Sequence, residues 1–193
     1  MIDTVSLAFD IDGVFADIMS LFIDIARDEY NIDSILYKDI KCYYIEECVD
    51  IKPEIISDII NKIIDGKHSA PLKPIKGSTR VLKRLSSEGP LLFVTARPYP
   101  GPIHDWISQT LSIDPALVEV VATGSFEAKA DVLLGKNISY FVEDRLETCF
   151  ALNEKGVTPV VFKQPWNREK HPFMEVGSWD ELELLINFNG SIR

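Results

Sequence analysis

Three aspartates, Asp10, Asp12 and Asp17, fall within Phe9-Asp10-Ile11-Asp12-Gly13-Val14-Phe15-Ala16-Asp17, directly after an apolar run and just before a helical pattern. Carboxylates this close repel one another, and a hard divalent cation such as Mg²⁺ offsets that repulsion because it takes oxygen ligands. A solvated acidic turn is the plain alternative. A calcium loop of the EF-hand type fails on spacing, since Gly13 comes at the fourth position rather than the sixth and Leu21 stands where a bidentate Glu is needed. A second polar group closes Phe93-Val94-Thr95-Ala96-Arg97. There a hydroxyl and free backbone amides at a strand end are the groups that hold phosphate oxygens, although a lone Thr reads more often as a turn or cap residue. Lys129 begins a helical pattern, where a solvated lysine is the ordinary reading. Glu143 and Asp144 close Phe141-Val142 as adjacent acids, a second invitation to a metal.

These groups need a frame that brings them together. Apolar runs of strand length at 4–9, 91–94, 118–121, 140–142 and 159–162 alternate with helical patterns at 80–85, 102–111, 128–134 and 146–154. Alternation of this kind predicts an α/β fold, a Rossmann-like doubly wound parallel sheet of five strands. Ligands of such sheets sit outside the carboxyl ends of the strands, at a switch in strand order. Between about residues 16 and 73 the alternation fails. Ile18, Leu21, Phe22 and Ile25 are helically spaced, and 54–64 is an amphipathic helix opened by Pro53. The expectation is a small helical cap, residues 16–73, inserted after the first strand into a core of residues 1–15 and 74–193.

At 193 residues, with 46% hydrophobic and 26% charged side chains, the chain suits one α/β domain plus an insertion. Its formal charge of -10 repels phosphodiester backbones and argues against nucleic acid as a partner. No signal peptide and no bilayer-length apolar run are visible. Cys42, Cys48 and Cys149 lack metal-type spacing and read as reduced thiols, so the expected location is cytoplasmic.

An N-terminal Asp-x-Asp-Gly, a strand-end Thr, a Lys and a strand-end acid pair, in that order, resemble the haloacid dehalogenase superfamily of phosphohydrolases. The resemblance implies that Asp10 is the nucleophile and that Asp12 protonates the leaving oxygen and then activates water. It further implies that Thr95 and Lys129 bind the phosphoryl group, helped by amides near Thr95 and Ala96. Asp10, the backbone carbonyl of Asp12 and Asp144 are implied to hold Mg²⁺, with Glu143 in support. Dehalogenase members lack an acid at the position of Asp12, which favours phosphate over halide. A narrower resemblance, from about residue 7 to 186, is to the bacterial 5′(3′)-deoxyribonucleotidase-like group. It rests on residues 8–17, Thr95-Ala96-Arg97-Pro98, residues 141–145 and Val161-Phe162-Lys163-Gln164-Pro165-Trp166-Asn167-Arg168. Glu143 departs from the Asp common at that position. The implied activity is a Mg²⁺-dependent phosphomonoesterase acting on a small phosphate monoester through an aspartyl-phosphate, a 5′-nucleotidase hydrolysing (deoxy)ribonucleoside monophosphates.

Phe15, Phe22, Tyr37, Tyr43 and Tyr44 are candidates to stack on a base, with packing inside the cap as an equal alternative. Arg97 and Arg145 flank the motifs without an assigned role, and His68, His104 and His171 have no partner spacing. Another phosphorylated metabolite is the nearest rival substrate. A receiver-type signalling domain also uses a phosphorylated Asp, a Thr and a Lys, but its metal-binding acids come first, whereas Glu143 and Asp144 follow Lys129. A non-catalytic phosphate-binding module is the remaining rival, and it predicts nucleotide binding without hydrolysis.

Overall fold

The computed structural model describes residues 1–188. Its elements run β1 (Ile2–Asp3), β2 (Leu7–Phe9), α1 (Ile18–Tyr30), α2 (Pro53–Asp65), α3 (Ser78–Ser86), β3 (Leu91–Thr95), α4 (Gly101–Leu111), β4 (Val118–Ala122), α5 (Lys129–Gly135), β5 (Tyr140–Glu143), α6 (Leu146–Glu154), β6 (Thr158–Phe162), β7 (Met174–Val176), α7 (Trp179–Leu185) and β8 (Ile186–Asn187). The six-stranded sheet has the order β4-β3-β2-β5-β6-β7 with every pairing parallel, and β1 and β8 form a separate parallel pair. The chain lays down β2, β3 and β4 outward in one direction and then returns to place β5 on the other side of β2. The switch in strand order therefore falls at β2, and the carboxyl ends of β2, β3 and β5 share one rim.

Side chains alternate across each strand and divide between two cores. Leu7, Phe9, Leu91 and Phe93 face the layer of α3, α4 and α7, through Val81, Leu82, Ile103, Ile107 and Trp179. Ala8, Leu92, Val94 and Phe141 face α5 and α6, through Ala130, Leu133 and Leu152. With both faces covered, parallel strands read as continuous apolar runs, which is why these strands stand out in the sequence.

Two strand expectations need correction. Residues 4–6 form a 3₁₀ turn rather than the start of the first long strand: the Ser6 hydroxyl donates to Asp3 O, and Val5 is exposed. The sheet has six strands rather than five, because β7 adds an edge strand. In it only Val176 is buried, so no apolar run announces it.

Between β2 and α3 the chain forms helices α1 and α2 and short 3₁₀ turns. Asp17 caps α1, accepting from Ser20 N–H at 3.1 Å and Ser20 Oγ at 2.7 Å, and Pro53 with Gly66 in the left-handed region bracket α2. The helices pack through Leu21, Phe22, Ile25, Ile56, Ile59 and Ile63 in a cluster of their own. The chain enters and leaves this layer side by side, with Asp17 N–H donating to Lys73 O at 2.9 Å and Ile75 N–H to Phe15 O at 2.7 Å.

Candidate active site

Asp10 leaves the end of β2 with its N–H still donating to Val142 O of β5 at 2.9 Å, so the sheet ladder fixes its backbone. The chain then turns sharply, with the N–H groups of Phe15 and Ala16 converging on Ile11 O. Gly13 makes the turn at φ +77°, and a Cβ there would lie 2.1 Å from Asp144 Oδ2, so only glycine lets the two motifs meet.

Lys129, on the first turn of α5, is fully buried. Its ammonium donates to Glu143 Oε2 at 2.8 Å and lies 3.1 Å from Asp10 Oδ1. The other Glu143 oxygen accepts the N–H groups of Asp144 and Arg145, each at 3.1 Å. Asp10, Glu143 and Asp144 can each present an oxygen within 4.8 Å of the others'. Asp144 Oδ1 is buried yet receives no hydrogen bond among the described residues, whereas the buried Asp10 Oδ1 has the Lys129 ammonium beside it. A buried charged oxygen left like Asp144 Oδ1 is strongly disfavoured, and a hard cation there would satisfy it while adding positive charge beside Asp10. The donor set, all oxygen, fits Mg²⁺. Asp17, by contrast, caps α1 and belongs to no such cluster.

One ammonium faces three buried carboxylates, and its effect is divided among them. Burial, then Glu143, push the Asp10 carboxyl well above its ordinary value despite Lys129, and burial followed by Glu143 and Asp10 does the same to Asp144. For Lys129 burial works against the charge, but Asp10 and Glu143 outweigh it and hold the ammonium above its ordinary range. A carboxylate with a raised folded-state value binds its proton more tightly when folded, so it removes stability as pH climbs from the unfolded value through the folded one. Partly exposed acids such as Asp65, held low by Lys67 and Tyr99, act in the opposite sense but only below the ordinary carboxylate range. The thermal midpoint of chelator-treated protein should therefore rise as pH is lowered towards the ordinary carboxylate range, and saturating magnesium should flatten that slope. Melting curves across pH with and without magnesium check this, and a metal-free midpoint that instead climbs with pH would contradict it.

Asp12 lies across the rim, gripped bidentately by Arg97, whose Nε and Nη2 are each 2.8 Å from one carboxylate oxygen. Arg97 also reaches Ile63 O of α2 at 3.4 Å, so the same guanidinium touches the helical layer. Thr95 ends β3 almost fully buried and its Oγ1 accepts Arg97 N–H at 3.3 Å. Ala96 follows on the rim of the same cavity.

The segment Gln164-Pro165-Trp166-Asn167, after β6, straps these parts together. Gln164 donates to Gly13 O at 2.6 Å and accepts the Tyr37 hydroxyl at 2.9 Å. Trp166 Nε1–H donates to Asp144 Oδ2 at 2.9 Å, and Asn167 Nδ2 donates to Asp144 O at 2.7 Å and Phe162 O at 2.8 Å.

A cavity of about 360 Å³ opens above these groups and is lined by Asp10, Asp12, Thr95, Ala96, Lys129 and Asp144. Its opposite wall is apolar, with Phe22, Tyr43, Tyr44, Ile60 and Ile63 from the helical layer and Phe126 from the loop before α5. Of the candidate aromatics, Phe15 lies outside it, buried against Phe93 and Trp106, and Tyr37 serves the strap. Tyr43 packs edge-on to Phe126 with ring centroids 5.8 Å apart, and the Arg145 guanidinium stacks 4.1 Å over Phe126. The sequence offers no signal for Phe126, a lone aromatic in a polar loop. The Arg97 partnership with Asp12 spans 85 positions and leaves no local trace either.

A family model described as "5' nucleotidase, deoxy (Pyrimidine), cytosolic type C protein" matches residues 3–190. The 5'(3')-deoxyribonucleotidase of Bacillus subtilis (strain 168) is 24% identical over 184 residues, covering 93% of this chain and 97% of that protein. Among solved structures, a predicted phosphoglycolate phosphatase from Haemophilus somnus 129PT superposes with a TM-score of 0.61 at 17% identity, covering 93% of this chain and 96% of the other. A HAD-superfamily hydrolase from Ehrlichia chaffeensis gives 0.58 at 11% identity, over 94% and 95% of the two chains. The solved structures speak for the fold.

Proposed function

This chain belongs to the 5' nucleotidase, deoxy (pyrimidine), cytosolic type C family of haloacid dehalogenase-like phosphatases, and from that premise we propose that it hydrolyses (deoxy)ribonucleoside monophosphates through an aspartyl-phosphate on Asp10. The observation that carries this reading is the placement of Lys129 against Asp10, beside the unpartnered Oδ1 of Asp144, at the floor of one cavity. Residues 16–73 act as its cap, over a core of 1–15 and 74–188, the last five residues of the expected core lying outside the described residues.

Asp10 attacks phosphorus while the ester bond to the leaving oxygen breaks, and Asp12, which must enter this step as the protonated acid, gives that oxygen its proton. Water then attacks phosphorus as the bond to Asp10 breaks and inorganic phosphate leaves, and Asp12 takes the water's proton, so Asp10 returns as a carboxylate and Asp12 as the acid. Lys129, the Thr95 hydroxyl and the amide beside Ala96 hold the phosphoryl oxygens, where fixed donors in a dry site count most. Asp10, Asp144 and the backbone carbonyl of Asp12 are the groups to hold Mg²⁺. Glu143 supports them from behind, since both its oxygens are taken by Lys129 and backbone amides. When bound, the metal supplies positive charge that lets a carboxylate approach a phosphate dianion. Arg97 fixes the direction in which Asp12 points.

The nucleoside would lie along Phe22, Tyr43, Tyr44 and Phe126. A cavity of about 360 Å³ is within the range for ligands of that size. No helix among the described residues is long and apolar enough to cross a membrane. The free thiols of Cys42, Cys48 and Cys149 suit a reducing cytoplasm.

Phosphate release with magnesium should be measured across deoxyribo- and ribonucleoside 5′- and 3′-monophosphates, sugar phosphates and phosphoglycolate. Nucleotides should exceed the other esters in kcat/KM by roughly 10-fold or more, the worth of about one well-placed contact. Sugar phosphates or phosphoglycolate outrunning every nucleotide would reject the nucleotidase assignment.

A further inference from the structure

We infer that Trp166 is a positioning residue of the cation site, holding Asp144 in the single orientation that leaves Oδ1 for a metal. The inference rests on the reading of Asp10 and Asp144 as magnesium ligands. A carboxylate has two equivalent oxygens and turns easily about its Cβ–Cγ bond, so which oxygen it offers depends on what engages the other. Here the Trp166 indole N–H donates to Oδ2 at 2.9 Å, and Gly13 backs onto that same oxygen with no room for a Cβ. Oδ1 is left buried without a hydrogen-bond partner. The indole is itself held: Trp166 is 8% exposed, packs in the cluster formed by α1 and α2, and has its ring centroid 6.1 Å from that of Tyr37. Asn167 fixes the other end of the residue by donating to Asp144 O.

The choice of donor matters. An indole N–H is neutral and donates only, so it orients the carboxylate without neutralising the charge a cation needs and without competing as a ligand. Because the same ring belongs to the apolar cluster of the helical layer, the packing of that layer and the direction of a metal ligand depend on one side chain.

The test uses magnesium alone, with no substrate. The three indole N–H groups have different acceptors, Leu72 O for Trp106, Asp144 Oδ2 for Trp166 and Val14 O for Trp179. In an isotope-labelled wild-type chain the Trp166 indole signal should move as magnesium is added. Trp166→Phe keeps a ring in the apolar cluster and removes the N–H, and calorimetric titration should show magnesium affinity weakened by roughly 10-fold or more. Wild-type affinity in a folded Trp166→Phe protein overturns the inference, as does a wild-type indole that ignores magnesium while magnesium still raises the melting temperature. Should Trp166→Phe fail to fold, the wild-type indole titration decides by itself. Absence of any magnesium response in the wild-type chain would sink the cation site, and the role of Trp166 with it.

Discussion

Asp10→Asn should abolish phosphate release, by on the order of 10⁴-fold or more in kcat, because the amide nitrogen cannot form the acyl-phosphate and the remaining groups can only bind substrate. The same substitution should leave the metal-free protein folded and at least as stable at neutral pH. Asp10 is buried among like charges, and burial with Glu143 holds its carboxyl well above the ordinary value, so its ionised form is a burden on the folded state. Lost turnover together with an unchanged or higher melting temperature separates a nucleophile from a structural acid. Steady-state kinetics and a melting curve on one preparation check both halves, and near-wild-type turnover would remove Asp10 from the mechanism.

Lys129→Met should have the opposite effect on stability, although the ammonium lies only 3.1 Å from Asp10 Oδ1. It is the cation that faces Asp10 and Glu143, and without it the buried carboxylates keep their mutual repulsion and lose their counter-charge. Breaking a buried pair from one side typically costs about 3–5 kcal/mol, so the metal-free variant should melt markedly lower. Magnesium should recover part of that loss by restoring positive charge beside Asp10 and Asp144. Turnover should fall by roughly 10²–10³-fold, the usual effect of removing one fixed donor to a developing oxyanion. Melting temperatures with and without magnesium are the direct check, and a variant as stable as wild type in the absence of metal would mean that Lys129 is not the counter-charge of the cluster.

Three of the groups that form this site stand out in the sequence because each interrupts an apolar run at a strand end, whereas Lys129 opens a helix after a polar loop. Asp10 follows Phe9, Thr95 follows Val94 and Glu143 follows Val142. Parallel strands buried on both faces are legible as such runs, and the rule that ligands gather at their carboxyl ends supplies the common location. The strap residues Gln164, Trp166 and Asn167 were recognisable as a motif, though their partners were not. Trp166 meets Asp144 across 22 positions and Gln164 meets Gly13 across 151, and nothing local encodes a meeting that only the packed fold creates. Asp17 misled for a related reason. Its position in the acidic run suits a metal, but it lies just before a helix whose exposed N–H groups compete for it, and the cap wins. Strand β7 escaped notice because an edge strand needs only one buried side chain, here Val176. Arg97 stood beside Thr95 as one more rim charge, and its grip on Asp12 is a consequence of β3 lying next to β2.

The most direct test of the account is to find the covalent intermediate. A labelled deoxyribonucleoside monophosphate mixed with enzyme and magnesium, quenched in acid within one turnover and reduced with borohydride, should leave a homoserine at position 10 detectable by tandem mass spectrometry. Homoserine at position 12 or elsewhere, or rapid hydrolysis with no phosphorylated protein at any quench time, would contradict it.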